Sequence, residues 1–162
     1  MGDYYTEQLV KRKATIGSLA IKAGMIVVTG LSFLTILLFQ FAIMIPVLLI
    51  VADVFLFKRL NVEYEYLYVN GDLDIDKIMS KEKRKRVFAT TVNDMDIIAP
   101  SNASELKGYP CTKVLNFSSG ETDHKTYEMI VTQNGQKTKV IFEPNGDILE
   151  GIRLVAPRKV II

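Results

Sequence analysis

Polar and apolar residues follow three different rhythms along this chain. From Ala23 to Phe57 the only charged residue is Asp53. Beyond Leu60, short runs alternate apolar and polar positions with period two, separated by turn residues, which predicts β-strands. Near the end, Ile148, Leu149, Ile152 and Val155 recur at helical spacing. The expected elements are an apolar helical segment, a small β domain and one closing amphipathic helix.

The apolar stretch is too long for one crossing. Its 35 residues would form a rod of about 52 Å, against a hydrocarbon core of about 30 Å. Two spans of about 17 residues fit. The pattern predicts a two-helix transmembrane hairpin, starting within 14–23 and turning near Leu38 to Ile43, where Gln40 is the most polar residue. Pro46 suits the opening turn of the second helix. No small-residue cleavage site follows the run, so it does not read as a removable leader. Lys11, Arg12, Lys13 and Lys22 precede the stretch, and Lys58 and Arg59 follow it. Basic flanks favour the cytoplasmic side, so an even number of spans is expected. The chain is therefore read as a multi-pass protein of the cell membrane with both termini cytoplasmic. Residues 1–59 form the N-terminal segment and hairpin, and 60–162 form the cytoplasmic domain. Lys22 and Asp53 are a candidate intramembrane pair, the alternative being that each snorkels separately to the headgroups.

In the domain, Val62, Tyr64, Tyr66 and Tyr68 share one strand face, and Asn70-Gly71 turns the chain into Leu73 and Ile75. A third strand is expected over Arg86 to Val92 after the charged turn "SKEKRK", and a fourth in "DMDIIAP". "CTKVLNF" and "KTYEMIVTQNGQKTKVIFEP" supply three more, the last two joined at Asn134-Gly135. Asn145 is placed to cap the final helix, Asp147 suits its positive end, and Pro157 ends it. Seven mostly antiparallel strands and a C-terminal helix resemble a pleckstrin-homology-like barrel, which makes the expected class an α+β membrane protein. "YYTEQLVKRK" and "LNVEYEYLYVNGDLDIDKI" are similar to an uncharacterised family of small membrane proteins of Gram-positive bacteria. That resemblance covers nearly the whole chain and implies no activity.

Candidate chemistry is sparse. His124 and Cys111 are the single residues of their types, and neither sits in a nucleophile motif. Asp72, Asp74 and Asp76 have the opening spacing of a calcium loop, but Lys77 and Lys83 stand where Gly and Glu are required. Glycine-rich phosphate loops and zinc spacings are absent. No catalytic residue, metal site or cofactor is expected. The segment to residue 59 carries six basic and three acidic groups, against fourteen and fifteen beyond it. The net +2 thus belongs to the hairpin flanks and implies no nucleic-acid partner. Lys81, Lys83, Arg84, Lys85 and Arg86 form the densest basic run, a candidate contact for anionic phospholipid headgroups or else a solvated hairpin tip. The expected role is a non-enzymatic adaptor anchored in the lipid bilayer, binding a membrane or cytosolic protein partner. The alternative is an accessory subunit of a larger membrane complex such as a transporter or envelope machine.

Overall fold

The computed structural model describes residues 4–81 and 83–162, without the side chains of Gln40 and Phe41. Glu82, the one acid within the basic run, lies outside the described residues. Two compact units result: the helical segment Lys13–Val62, and a β unit that combines the N-terminal residues to Arg12 with Glu63–Ile162.

The helical unit begins at Thr15, whose hydroxyl accepts the Ser18 N–H at 3.3 Å and caps α1 (Ile16–Ser32). α2 (Leu34–Leu38) continues it, and Ile16–Leu38 is, among the described residues, the one helix long and apolar enough to cross a membrane. Phe39 is extended, a 3-10 turn spans Gln40–Ile43, and α3 follows over Met44–Leu60. Pro46 falls in the first turn of α3, where its missing N–H removes no helical bond. Contacts from Thr29 to Asp53 and from Lys22 to Asn61 set α1 and α3 side by side in opposite directions. The buried residues of α1 and α3 are Thr29, Ser32, Pro46 and Asp53. Val28, Leu31, Leu48, Val51 and Phe55 are exposed. This pair is polar inside and apolar outside.

The β unit holds two four-stranded sheets. The first runs β1 (Tyr5–Lys11), β2 (Val62–Val69), β3 (Asp72–Met79), β4 (Lys83–Thr91). The second contains β5 (Met95–Pro100), β6 (Lys113–Asn116), β7 (Tyr127–Gln133) and β8 (Gln136–Phe142), in the order β5-β7-β8-β6. All pairings described are antiparallel except β6 with β8. The expected closed seven-stranded barrel is corrected to eight strands in two sheets, neither closed. The eighth strand is β1, which pairs with β2 and becomes the edge of the first sheet, and no pairing among the described residues joins the two sheets. β1 also belongs with 63–162 rather than with the helices, so the β unit draws on both sides of the helical segment.

Asn70 and Gly71, and likewise Asn134 and Gly135, have positive φ, as tight hairpin turns between right-twisted strands require. Tyr66, Tyr68, Leu73, Ile75, Met129 and Phe142 are fully enclosed, and Ile130 joins Ile97, Ala99 and Leu106 in a separate cluster. α4 (Gly146–Val155) starts at Asn145, whose side chain accepts the Ile148 N–H at 2.9 Å. It buries Ile148, Leu149 and Ile152. A Cβ on Gly151 would stand 2.5 Å from the Tyr4 ring and 2.6 Å from that of Tyr68, so only glycine permits this approach. The chain then returns along β5, where Ile98 and the Lys159–Ile161 backbone exchange bonds of 2.7 and 2.8 Å.

Candidate functional site

Most of the basic run lies in β4 and not in the turn. Ser80 and Lys81 have positive φ, and Lys83 opens the strand. Alternate side chains then separate. Arg84 reaches Glu65 at 2.8 Å, and Arg86 reaches Asp74 at 2.8 Å and Asp76 at 3.6 Å. Two of the five cations are therefore paired with the sheet's own carboxylates, including two from the "DLDID" run. Lys81, Lys83 and Lys85 are left without ion pairs among the described residues.

Lys22 and Asp53 do not meet. Lys22 Nζ donates to Asn61 Oδ1 at 3.3 Å and lies 5.9 Å from the Phe57 ring centre. Asp53 Oδ2 accepts from Thr29 Oγ1 at 2.7 Å, and Oδ1 has no hydrogen-bond partner. The expected pairing placed the turn too early. The chain reverses in the 3-10 turn after Phe39, which puts Thr29 opposite Asp53 and carries Lys22 to the far end of α3.

A cluster that sequence reasoning missed surrounds Glu143. Its Oε1 accepts from the Ser119 N–H at 2.9 Å and the Ser119 hydroxyl at 2.7 Å, and its Oε2 lies 3.1 Å from His124 Nδ1. The trio has the composition of a hydrolase triad without its geometry. Such a triad needs serine and acid on opposite ring nitrogens, whereas Ser119 Oγ and Glu143 both lie at Nδ1. Ser119 is also 2% exposed, out of reach of any substrate. The cluster instead fastens the 117–124 loop to the end of β8. Gln8 from β1 binds the Glu143 carbonyl at 2.8 Å, and the Tyr66 hydroxyl donates to the Phe117 carbonyl at 2.7 Å. Burial pushes the Tyr66 phenol well above its ordinary pKa. Cys111 is half-buried and donates to the Tyr109 carbonyl at 3.3 Å, with no base beside it. Among the described residues no group of carboxylates, histidine and cysteine could hold a metal ion.

A groove of about 920 Å³ runs beside α4, lined by Tyr127, Pro144, Leu149, Arg153, Pro157 and Ile162 among others. It shares Lys125, Tyr127 and Ile162 with a second recess of about 460 Å³ that adds Ser101, Asn102, Thr122 and His124. Lys125 and Arg153 form no ion pair among the described residues. The lining is mainly apolar, with two cations and one acid, Glu150, at its polar positions, which suits a partly apolar ligand with polar groups. These residues come from four separate segments, so no local motif announces them.

No curated protein and no solved structure matches the chain. A family model described as "Bacterial PH-like domain (DUF6106)" matches residues 2–162. Two four-stranded sheets followed by a C-terminal helix agree with that description, and the chain belongs to this bacterial PH-like family of unknown function.

Proposed function

We propose that the protein is a membrane-anchored, non-enzymatic binding module that holds its PH-like domain at the inner surface of the cell membrane. One observation carries this reading: an inside-out helix pair leaves from, and returns to, adjacent ends of two paired strands. The β1–β2 ladder runs from Tyr5↔Val69 to Lys11↔Glu63. Both ends of the helical segment leave from the same end of one ladder, which supports an even number of crossings. Water would favour the opposite arrangement of polar and apolar surface, whereas lipid favours this one. α3, at 17 residues and about 25 Å, is near the lower limit for a span, which fits a short transmembrane hairpin. The basic flanks favour a cytoplasmic β unit in this reading.

In this reading the groove beside α4 receives the partner. Lys81, Lys83 and Lys85 are the cations available to anionic headgroups, at roughly 1 kcal/mol each when close to the surface. The test is thiol labelling of intact cells with a membrane-impermeant reagent, using single cysteines at Glu7, Gln40 and Asp123 in a Cys111→Ser background. Labelling at Gln40 alone is expected, with Glu7 and Asp123 reacting only after permeabilisation. Reaction at Glu7 and Asp123 in intact cells would place the domain outside and overturn the proposal.

A further inference from the structure

Asp53 is the tenth of the 17 residues of α3, far from both helix ends. It is 8% exposed, and its one hydrogen bond comes from the neutral Thr29 hydroxyl. The other hydroxyls nearby are committed elsewhere: Ser32 Oγ donates to the Thr29 carbonyl and Thr35 Oγ1 to the Ser32 carbonyl, each at 2.6 Å. The sequence offered Lys22 as a counter-charge, but Lys22 is held at Asn61. No cation of the described residues pairs with Asp53. A carboxylate at the centre of a membrane helix costs roughly 2.5–3.5 kcal/mol on insertion scales, and such groups are characteristically paired. We infer that Asp53 is one half of an intramembrane ion pair, whose other half is a lysine or arginine on a membrane-spanning helix of a second protein.

A second copy of this chain does not supply that cation. In the helical segment Lys13 and Lys22 precede the centre of α1, and Lys58 and Arg59 lie in the last turn of α3. Gly30, next to Thr29 on α1, leaves open space where a side chain would stand, so a second helix can come close to the pair there. The long stem of a lysine or arginine can carry its charge past apolar surface to a partly enclosed acid. The inference rests on the membrane reading above and gives the hairpin a task beyond anchoring, as the contact surface of a subunit.

The test uses the full chain in bilayer nanodiscs, labelled at its single cysteine, Cys111. Synthetic single-span leucine-alanine helices carry Lys, Leu or Glu at their midpoint and an acceptor dye. Energy transfer should show about tenfold tighter association of the Lys probe than of the Leu probe, a typical interhelical polar contact in model peptides. That preference should vanish in Asp53→Asn, which is nearly isosteric, and persist in Asp53→Glu, so a general packing defect is distinguished from loss of charge. Gly30→Leu should weaken the Lys probe with Asp53 intact. Equal binding of the Lys and Leu probes, or a Lys preference that survives Asp53→Asn, would overturn the inference. Carbonate extraction is read in parallel. A chain released by carbonate overturns the membrane reading and this inference with it, whereas a retained chain without Lys preference overturns the inference alone.

Discussion

Glu143 in the β unit and Asp53 in the helix pair are both buried acids, 6% and 8% exposed. Their surroundings differ in kind. Glu143 receives a backbone N–H, a hydroxyl and an imidazole, so both of its oxygens are satisfied by its own domain. Asp53 receives a single hydroxyl on one oxygen, and the other has nothing. The β unit satisfies Glu143 with hydrogen bonds and sets Arg86 beside its other buried acid, Asp76, at 3.6 Å, whereas the helix pair gives Asp53 no cation among the described residues. The first should therefore fold by itself, while the second should depend on lipid and on a partner.

The strongest way to break that contrast is to remove the helices. Because the β1–β2 ladder ends at Lys11↔Glu63, replacing residues 13–61 by Asn-Gly should close a two-residue hairpin between Arg12 and Val62. The product should be soluble without detergent and unfold cooperatively, as seen in dispersed amide NMR spectra and a single urea transition. A fragment starting at Leu60 loses β1 and with it the Gln8 bonds to Glu143 and Asn145, and should be far less stable. If the excised protein stays unfolded, the units are interdependent and the contrast fails.

Opposite signs are expected when each acid becomes apolar. Glu143→Ala strands the Ser119 donors and should destabilise the excised domain by about 3 kcal/mol in urea melts. Asp53→Leu in the full chain, without its partner, should be neutral or stabilising in detergent, because an incompletely satisfied acid is replaced by packing. Equal losses at both sites would mean that Asp53 is already complete.

The sequence is a good guide where signals are local. Seven strands and the closing helix follow from period-two runs, the two Asn-Gly turns and the Asn145 cap, because each signal acts within a few residues. β1 is illegible for the converse reason. "YTEQLVK" buries only Val10, and its partner strand begins about fifty residues later. The Lys22–Asp53 expectation failed on register: the backbone reverses at Gln40–Ile43, within the expected turn, whereas pairing residues 22 and 53 would need it centred near residue 38. In the basic run, charge density suggested a turn, yet the carboxylates that draw Arg84 and Arg86 into the sheet come from β2 and β3. The groove and the Glu143 cluster join segments far apart in the chain and are visible only once the sheets are assembled.

A smaller effect sharpens the description of the β unit as self-sufficient. Burial desolvates the Tyr66 phenol, and this is the main cause that raises its pKa above the ordinary value of 10.0. A group whose folded pKa is raised stabilises fully below its unfolded pKa and loses that contribution as pH rises through the folded one. Stability of the excised domain should thus be level in Tyr66 until about pH 10 and fall beyond it. Tyr66→Phe should flatten that alkaline decline while lowering the plateau by about 1 kcal/mol through loss of the bond to the Phe117 carbonyl. Thermal melts between neutral and strongly alkaline pH measure both changes.

The smallest stability effect belongs to β4. The Arg84 and Arg86 side chains are 58% and 57% exposed, so water screens their pairs with Glu65, Asp74 and Asp76. Replacing both by Gln should lower stability by about 1 kcal/mol at most. Lys81, Lys83 and Lys85 have no such pairs, so their replacement by Gln should leave the melt unchanged and weaken binding of the excised domain to anionic vesicles at low salt. Arg84→Gln and Arg86→Gln should affect that binding less, because each guanidinium is already balanced by a carboxylate. Equal loss of binding from both sets would mean that the arginine pairs open at the membrane surface. The charge run would then act as one electrostatic patch, and the alternation along the strand would have no consequence for function.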